Sequence, residues 1–324
     1  MTATSAAVQL VTVAATVVGL WIGARLLVDA VVRLARRLGL SELTIGLTIV
    51  AAGTSAPELV VTTDAALRGL GDIAVGNVIG SNVYNLAFVL GVVSLIRFVP
   101  VERSLVHRDG VVLIASALVG GVAVFDGVVS RPEGVVLVGL FVAYTGYLLW
   151  TGAEPDDGAT APTEGVAVPT ATTDAVAFRG RDAILLVVGL AVILVSGDLL
   201  VEAAAALARG AGVSDWVIGG TIVAAGTSTP EFAVSLVAAR RGRLGVSVGN
   251  VVGSNVFNVF GILGLAATLR PLAVDAAAVE AVAWLLAVSV VMVAALWTGR
   301  RLSRMEGGLF ALSEVVRWAL GLLG

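Results

Sequence analysis

Long apolar stretches separated by short polar breaks run through almost the whole chain. Most of them have about 20 residues, the length that an α-helix needs to cross the hydrocarbon core of a bilayer. They do not alternate apolar with polar residues as the strands of a membrane barrel do, so the pattern favours helices. It predicts about ten membrane spans, at approximately 6–34, 43–67, 73–96, 109–125, 134–151, 183–208, 216–239, 245–269, 276–298 and 307–323.

The composition agrees with an all-α protein of the cell (plasma) membrane that crosses the lipid bilayer many times. Of 324 residues, 58% are hydrophobic and 13% are charged, whereas a soluble domain is about half apolar and a quarter charged. The first apolar run has no basic region before it, so we expect a retained span rather than a cleaved signal peptide. The chain has no cysteine, which excludes disulfides and thiolate metal sites.

Arginines cluster at alternate predicted loops, and this asymmetry predicts the orientation of the chain. Loops rich in basic residues remain cytoplasmic, so both termini are expected outside and the loop after the fifth span inside. The other loops carry single arginines. The clusters are Arg33, Arg36 and Arg37, then Arg97, Arg103 and Arg108, then Arg240, Arg241 and Arg243, and finally Arg300, Arg301 and Arg304.

The segment 152–182 is the one long polar stretch, rich in Ala, Thr, Pro and Asp. Its composition favours a disordered acidic cytoplasmic linker between two halves. A regulatory cation-binding loop is the alternative, but the acidic spacing does not match an EF-hand. The chain is therefore expected to consist of two five-helix halves, 1–151 and 183–324.

The two halves contain an internal repeat. Residues 46–91 and 219–264 align without a gap, and the same alignment pairs Arg25 and Asp29 of the first span with acidic residues of the sixth. Because five spans per half is an odd number, the second half must enter the membrane from the opposite side. Inverted repeats with a binding site at the middle of the membrane are typical of secondary transporters.

A repeated motif interrupts an apolar span in each half: GTSAPE at 53–58 and GTSTPE at 226–231. Proline removes a backbone donor and glycine loosens the turn, so each helix is predicted to break there. Unwound backbone at membrane depth is tolerated where it lines a cavity inside the protein or binds ions.

Each motif ends in a glutamate, Glu58 or Glu231, that is predicted to lie within the membrane. Intramembrane carboxylates are costly, and they mark ion or substrate pathways. The alternative is a structural ion pair with a buried arginine. The one arginine well inside a predicted span near the repeats is Arg25, for which Asp29, one turn away, is the better partner. We therefore interpret both glutamates as ion ligands.

The following span of each half carries polar residues spaced four apart, which place them on one helical face. Such a face could bind cations or hold helices together, and we favour cation binding. For Asn82 and Asn255, which lie off this face, packing or capping is expected. The two trios are Asn77, Ser81 and Asn85, and Asn250, Ser254 and Asn258.

The candidate ligands are all oxygen atoms, which suit calcium, sodium or potassium rather than zinc or copper. The single histidine, His107, is predicted to be an ordinary exposed residue of a cytoplasmic loop. An enzyme is not indicated, because Ser55 and Ser228 do not lie in a G-x-S-x-G turn. Nothing in the sequence points to a cofactor, a nucleic acid or an obligate protein partner.

The paired GTSxPE and GNxxGSNxxN segments resemble the two alpha repeats of the cation/calcium antiporter superfamily, most closely its prokaryotic sodium/calcium exchangers. The resemblance implies that Glu58 and Glu231 are the central carboxylates. It implies further oxygen ligands from the side chain or backbone of Thr54, Ser55, Thr227, Ser228, Ser81, Ser254, Asn85 and Asn258, and from the carbonyls of Ala51 and Ala224.

The resemblance has one departure. Some archaeal exchangers carry aspartate at the position of Asn258, whereas asparagine stands in both repeats of this chain. A carboxylate-based proton-coupling role is therefore less favoured, while calcium binding is unaffected.

The expected function is secondary active antiport of sodium against calcium by alternating access. The resemblance suggests three sodium ions for each calcium, which makes calcium export electrogenic. Coupling to protons or additionally to potassium stays open as the alternative. A cation channel is disfavoured, since inverted repeats around a fixed site suit a carrier better than a continuous pore.

Overall fold

The computed structural model describes residues 3–96, 99–100, 105–152, 180–212, 224–299 and 301–323. These residues form helices connected by short turns and by two-residue strands. The helices are α1 (Ala3–Leu38), α2 (Glu42–Thr54), α3 (Ala56–Arg68), α4 (Gly71–Ile96), α5 (Leu105–Val124), α6 (Arg131–Thr151), α7 (Gly180–Gly210), α8 (Ala224–Thr227), α9 (Thr229–Arg240), α10 (Leu244–Leu269), α11 (Ala276–Gly299) and α12 (Arg304–Leu323). The strands are β1 (Val99–Pro100), β2 (Val128–Val129), β3 (Leu272–Ala273) and β4 (Arg301–Leu302).

The described helices confirm a polytopic all-α fold. Seven of them are long and apolar enough to cross a membrane, and the bent pair α2 and α3 makes an eighth. The predicted span 216–239 lies partly outside the described residues. Helix α12 covers the last predicted span without being one of the seven, and it carries Glu306, Glu314 and Arg317.

The predicted linker 152–182 is too long at its C-terminal end. Helix α7 already begins at Gly180, and Asp182 in its first turn forms an ion pair with Arg33 of α1, at 2.8 Å between Oδ1 and Nε. The remainder of the predicted linker, 153–179, lies outside the described residues.

The strands show that the two halves are inverted. In the alignment of the repeats, β1 corresponds to β3 and β2 to β4. In the structure, however, β1 pairs antiparallel with β4, and β2 pairs with β3. One membrane-crossing helix separates β1 from β2, so equivalent strands of the two halves lie at opposite ends of the molecule.

The duplication extends to the last helix of each half. Glu133, in the first turn of α6, accepts hydrogen bonds from the backbone and hydroxyl of Ser130 at 2.8 and 2.6 Å. Glu306, in the first turn of α12, accepts the same two bonds from Ser303 at the same distances. These serine and glutamate residues correspond in the repeat alignment, and both helices therefore begin with the same capping arrangement.

Helices α1 and α7, the first of each half, cross at two glycines. A Cβ on Gly23 would lie 2.9 Å from the carbonyl oxygen of Gly189, and a Cβ on Gly189 would lie 2.8 Å from the amide nitrogen of Leu27. Close backbone approach at small residues is how helices associate in a bilayer, where apolar burial alone gives little preference for protein contact. The main apolar core lies elsewhere, around α4 and α10.

The two ends of the molecule differ in how well the helix after each break, α3 or α9, is covered. At one end α1 covers α9, so that Ala233 and Val234 are 8% and 0% exposed. The equivalent residues of α3 are Val60 and Val61, which are 67% and 38% exposed. Helix α1 buries one face of α9, whereas the equivalent face of α3 is largely exposed.

The ion pairs at these two ends also differ. Asp29 of α1 forms an ion pair with Arg241, next to α9, so the expected pairing of Asp29 with Arg25 is wrong. Arg25 instead lies over the ring of Trp21, 5.5 Å from its centroid. Arg68, the counterpart of Arg241, pairs with Asp64 of its own helix at 2.8 Å.

Candidate functional site

The repeated motifs break their helices at serine. Helices α2 and α3 meet at Ser55 with a bend of 50°, and Ser55 itself has φ −80° and ψ 15°. In the second half, Ser228 separates α8 from α9 with φ −90° and ψ 10°. Proline follows in the first turn of both α3 and α9, where its missing N–H costs no helical hydrogen bond. The predicted breaks are confirmed.

Glu58 and Glu231 lie in the first turns of α3 and α9, and both are fully buried. A helix N-terminus favours negative charge, because its free N–H groups carry partial positive charge. The broken helices therefore place each carboxylate where the backbone itself stabilises it.

Each glutamate is bonded to the serine of the opposite half. The Ser55 hydroxyl donates to Glu231 Oε1 at 2.7 Å, and the Ser228 hydroxyl donates to Glu58 Oε1 at 2.9 Å. The second oxygen of each carboxylate, Oε2, is buried and has no hydrogen-bond partner among the described residues. The pair of reciprocal bonds makes one site from both halves.

The serines of α4 and α10 lie beside these carboxylates. Ser254 Oγ lies 3.0 Å from the hydroxyl oxygen of Ser55 and donates to Glu231 Oε1 at 3.4 Å. Ser81 lies 3.5 Å from the hydroxyl oxygen of Thr227 and interacts with the carboxylate of Glu58. The structure thus brings the predicted hydroxyl groups of both halves to the two glutamates.

Thr54 contacts both the opposite half of the protein and Ala51 of its own helix. The Thr54 hydroxyl is 3.0 Å from Asn250 Oδ1, and it also lies 3.3 Å from the carbonyl oxygen of Ala51. That carbonyl accepts the backbone N–H of Ser55 at 3.0 Å as well. Ala224 is the first residue of α8, at the edge of the described part of the chain.

The first asparagine of each trio holds neighbouring helices together. Asn77 Nδ2 donates to Thr62 Oγ1 at 2.9 Å, and Asn250 Nδ2 donates to Ser235 Oγ at 3.0 Å. Each of these bonds joins two helices of the same half. The predicted polar face is therefore divided: its first position packs helices, whereas the serine at its second position lies at a glutamate.

The last asparagine of each trio lies where the helix widens. Asn85 and Asn258 are both fully buried and lie in the π-helical segments Tyr84–Val89 and Phe257–Leu263. Such widened turns are rare in helices, and where they occur they often lie at functional sites. Neither the helical period nor the residue types of the sequence indicated them.

The buried oxygens that lack hydrogen-bond partners indicate which ions the site can bind. Asn85 and Asn258 each have a buried Oδ1 without a partner in the described residues, as Glu58 and Glu231 have an unpartnered Oε2. A buried polar atom without a partner costs about 1–3 kcal/mol. Two carboxylates and neutral oxygens from both halves fit a hard cation such as calcium or sodium.

A network of asparagines behind these oxygens was missed from the sequence. Asn82 Nδ2 donates to the backbone oxygen of Asn255 at 3.0 Å, and Asn258 Nδ2 donates to Asn82 Oδ1 at 3.0 Å. Asn82 thus contacts a candidate ligand directly, beyond the packing role expected for it.

A buried carboxylate on α12 that pairs with a more exposed arginine was also missed. Glu314 is 1% exposed, and its carboxylate binds Arg317 at 2.5 and 2.8 Å. The next residue, Trp318, stacks on Tyr84 of α4 with centroids 5.7 Å apart. Because Glu314 has its own arginine, it is a structural carboxylate next to the site. His107 lies in the first turn of α5 rather than in a loop, 4.5 Å from Trp297 between ring centroids.

Comparison with known proteins agrees with this geometry. The family model described as sodium/calcium exchanger protein matches residues 8–150 and 182–313. This chain belongs to the sodium/calcium exchanger family. The match includes both broken helices and both glutamates.

Individual known proteins resemble the chain over most of its length. The sodium/calcium exchanger MaX1 of Methanosarcina acetivorans is 31% identical over 304 residues, covering 85% of this chain and 87% of that protein. The inner membrane protein YrbG of Escherichia coli is 32% identical over 255 residues, 77% of this chain and 76% of that protein.

A solved structure of the sodium-calcium exchanger NCX_Mj superposes on the chain with a TM-score of 0.81 at 29% identity, covering 96% of this chain and 98% of that one. The chain therefore has the ten-helix transporter fold of this family.

Proposed function

We propose that this protein is a secondary active antiporter that exchanges sodium for calcium across the cell membrane by alternating access. The observation that carries the proposal is the reciprocal bonding of Glu58 and Glu231 to the serines of the opposite half, with one free oxygen on each carboxylate. Two buried carboxylates balance the charge of one divalent cation or of two monovalent cations, and the neighbouring neutral oxygens offer ligands for further monovalent ions.

The proposed ligands are the two glutamates together with the neutral oxygens that surround them. These are the side-chain oxygens of Ser55, Ser228, Ser81, Ser254, Asn85 and Asn258, the hydroxyl or carbonyl oxygens of Thr54 and Thr227, and the carbonyls of Ala51 and Ala224. Because both halves contribute, a movement of one half against the other changes which side reaches the site without dismantling either half.

We infer that each half is one five-helix unit, and that the arginine-rich end of the molecule faces the cytoplasm. The distribution of arginine supports this orientation, since basic loops stay inside. Three sodium ions entering for each calcium ion leaving would carry one net charge inward, so a membrane potential that is negative inside would favour calcium export.

The test is uptake of radioactive calcium-45 into proteoliposomes, with sodium, potassium and proton gradients imposed one at a time. We expect saturable uptake that an opposing sodium gradient drives by itself. Uptake that needs a pH gradient but no sodium would move the protein to proton coupling, and uptake that needs both sodium and potassium would make it potassium-dependent. Non-saturable flux down the calcium gradient would indicate a channel.

A further inference from the structure

Asn258 can act as a cation ligand only if the oxygen of its side-chain amide, and not its NH2 group, faces the cation. The carbonyl oxygen of the amide attracts a cation, whereas the NH2 group at its other end is a donor and repels one. The two ends have nearly the same shape, so burial alone does not select between them. Some neighbouring group must therefore determine which end of the amide is left free to accept a cation.

A chain of two hydrogen bonds makes this selection. Asn82 Nδ2 donates to the backbone oxygen of Asn255 at 3.0 Å. A backbone oxygen can only accept, so this bond fixes the amide of Asn82 with its own Oδ1 free to accept. Asn258 Nδ2 donates to that oxygen at 3.0 Å, and Asn258 Oδ1 is thereby left without a described partner.

The equivalent chain is not made in the other half. Asn255 corresponds to Asn82 in the repeat alignment, but its Nδ2 donates at 2.7 Å to the carbonyl of Val251 on its own helix. Neither the oxygen nor the nitrogen of the Asn85 amide has a described partner. The site thus contains one amide whose orientation is fixed and one whose orientation is not.

We propose that Asn82 is a positioning residue that presents the carbonyl oxygen of Asn258 to the transported cation. This inference rests on the proposed function, because it requires that a cation binds between the two halves. It assigns to the second asparagine of the GSN sequence on α4 a role in cation affinity, which it exerts through Asn258 and without touching the ion.

The test is a double-mutant cycle on calcium affinity, measured by calcium-45 binding to the purified protein. Asn82→Ala should weaken calcium binding roughly tenfold, as expected for losing one buried hydrogen bond that orients a ligand. Asn258→Asp supplies an oxygen at either end of the side chain. In that background Asn82→Ala should therefore change the affinity less than about twofold.

The cycle separates positioning from structural damage. A purely structural role of Asn82 predicts the same loss of affinity in both backgrounds, and that result would overturn the proposal, as would unchanged affinity of Asn82→Ala alone. Glu231→Gln is the control for the site itself. If the wild-type protein binds no calcium, or if Glu231→Gln binds it normally, the proposed function fails and not only the role of Asn82.

Discussion

At the scale of single residues, the site depends on two carboxylates, Glu58 and Glu231, that no arginine of the described residues pairs with. The hydroxyls of Ser55 and Ser228 reach one oxygen of each carboxylate, and the other oxygen remains available. Glu314 shows the contrast. It is equally buried, but Arg317 of the same helix engages both of its oxygens, so it has little capacity left for an ion.

This contrast predicts the effect of removing each charge. Glu58→Gln and Glu231→Gln should each lower calcium flux by about a hundredfold or more, since a charged ligand is lost while the shape of the side chain is kept. The measurement is sodium-driven calcium-45 uptake in proteoliposomes. Glu280→Gln, at an exposed position on α11, is the matched control and should transport normally. Near-normal flux by either buried variant would remove that glutamate from the site.

At the scale of helices, α2 and α10 touch through their backbones. A Cβ on Gly253 of α10 would lie 2.4 Å from the carbonyl oxygen of Leu47 and 2.6 Å from its Cα. Gly249, one turn earlier on α10, approaches the backbone of α2 equally closely: a Cβ on Gly249 would lie 2.6 Å from the carbonyl oxygen of Leu43. This crossing holds the broken helix α2 against the helix that carries Ser254 and Asn258.

The crossing predicts that Gly253→Ala destabilises the protein. The added methyl group must push two backbones apart, which typically costs about 1–3 kcal/mol. The melting temperature of the purified protein in detergent should therefore fall. Gly139→Ala is the control: Gly139 is exposed on α6 with no described atom within 4 Å of its Cβ position, and the substitution should leave the melting temperature unchanged. An equal effect of both substitutions would contradict the crossing.

The charged residues at the helix ends predict two equivalent ion pairs, here called latches, that form in opposite conformations of the protein. Asp29 pairs with Arg241 at the end where α1 covers α9. Their counterparts in the repeat, Glu202 and Arg68, keep the same charges, but Glu202 is exposed and Arg68 pairs with Asp64 instead. In inverted repeats the opposite-facing state arises when the halves exchange conformations. We therefore expect Glu202 to meet Arg68 in that state.

The chain has no cysteine, so cross-linking can test these latches directly. Glu202→Cys with Arg68→Cys should form a disulfide on oxidation that stops calcium flux until it is reduced. Asp29→Cys with Arg241→Cys should do the same. In a protein with all four substitutions, one cross-link should suppress the other, which mass spectrometry of the linked peptides can measure. Failure of positions 202 and 68 to cross-link in sodium, calcium or neither would rule out the second latch.

At the scale of the whole molecule, charge and symmetry define two different ends. Ion pairs of Arg33 with Asp182, of Arg241 with Asp29 and of Arg243 with Glu42 all lie at one end. The opposite end has Arg131 and Arg270, which bind the carbonyl oxygens of Leu269 and Leu67. The arginine-rich end is the one that we expect in the cytoplasm.

This orientation can be measured with single cysteines at Thr2 and Ala159. In intact cells an impermeant maleimide should label Thr2→Cys, and it should label Ala159→Cys only after the cells are lysed. The reverse pattern would overturn the orientation with both termini outside. Calcium flux of each variant serves as the control that the protein has inserted correctly.

Electrogenic exchange is the second prediction at this scale. Each net charge that crosses the membrane gains about 2.3 kcal/mol per 100 mV, so a potential that is negative inside should accelerate sodium-driven calcium export. The measurement is calcium flux in proteoliposomes whose potential is clamped with potassium and valinomycin, after a control that potassium alone has no effect. Flux that is indifferent to voltage would exclude unequal charge exchange.

The sequence by itself determined the features that follow from composition and local pattern. Apolar length gave the membrane helices, the ungapped repeat gave the inverted halves, and the Gly-Thr-Ser-x-Pro-Glu motif gave both the helix breaks and the two glutamates. The helices and their breaks depend on residues that are close together in the chain, where helical period and backbone chemistry are sufficient. The inversion follows from the odd number of spans in each repeated half.

Only the tertiary structure decided which atoms meet. It joined Ser55 to Glu231 and Asp29 to Arg241, and it bonded the amide of Asn258 to Asn82. A hydrogen bond requires its two atoms to be about 3 Å apart, and that distance is set by the crossing of distant helices and by π-helical turns that shift the faces of α4 and α10. The sequence pattern contains the candidate residues of both halves, but their partners exist only once the halves are packed together.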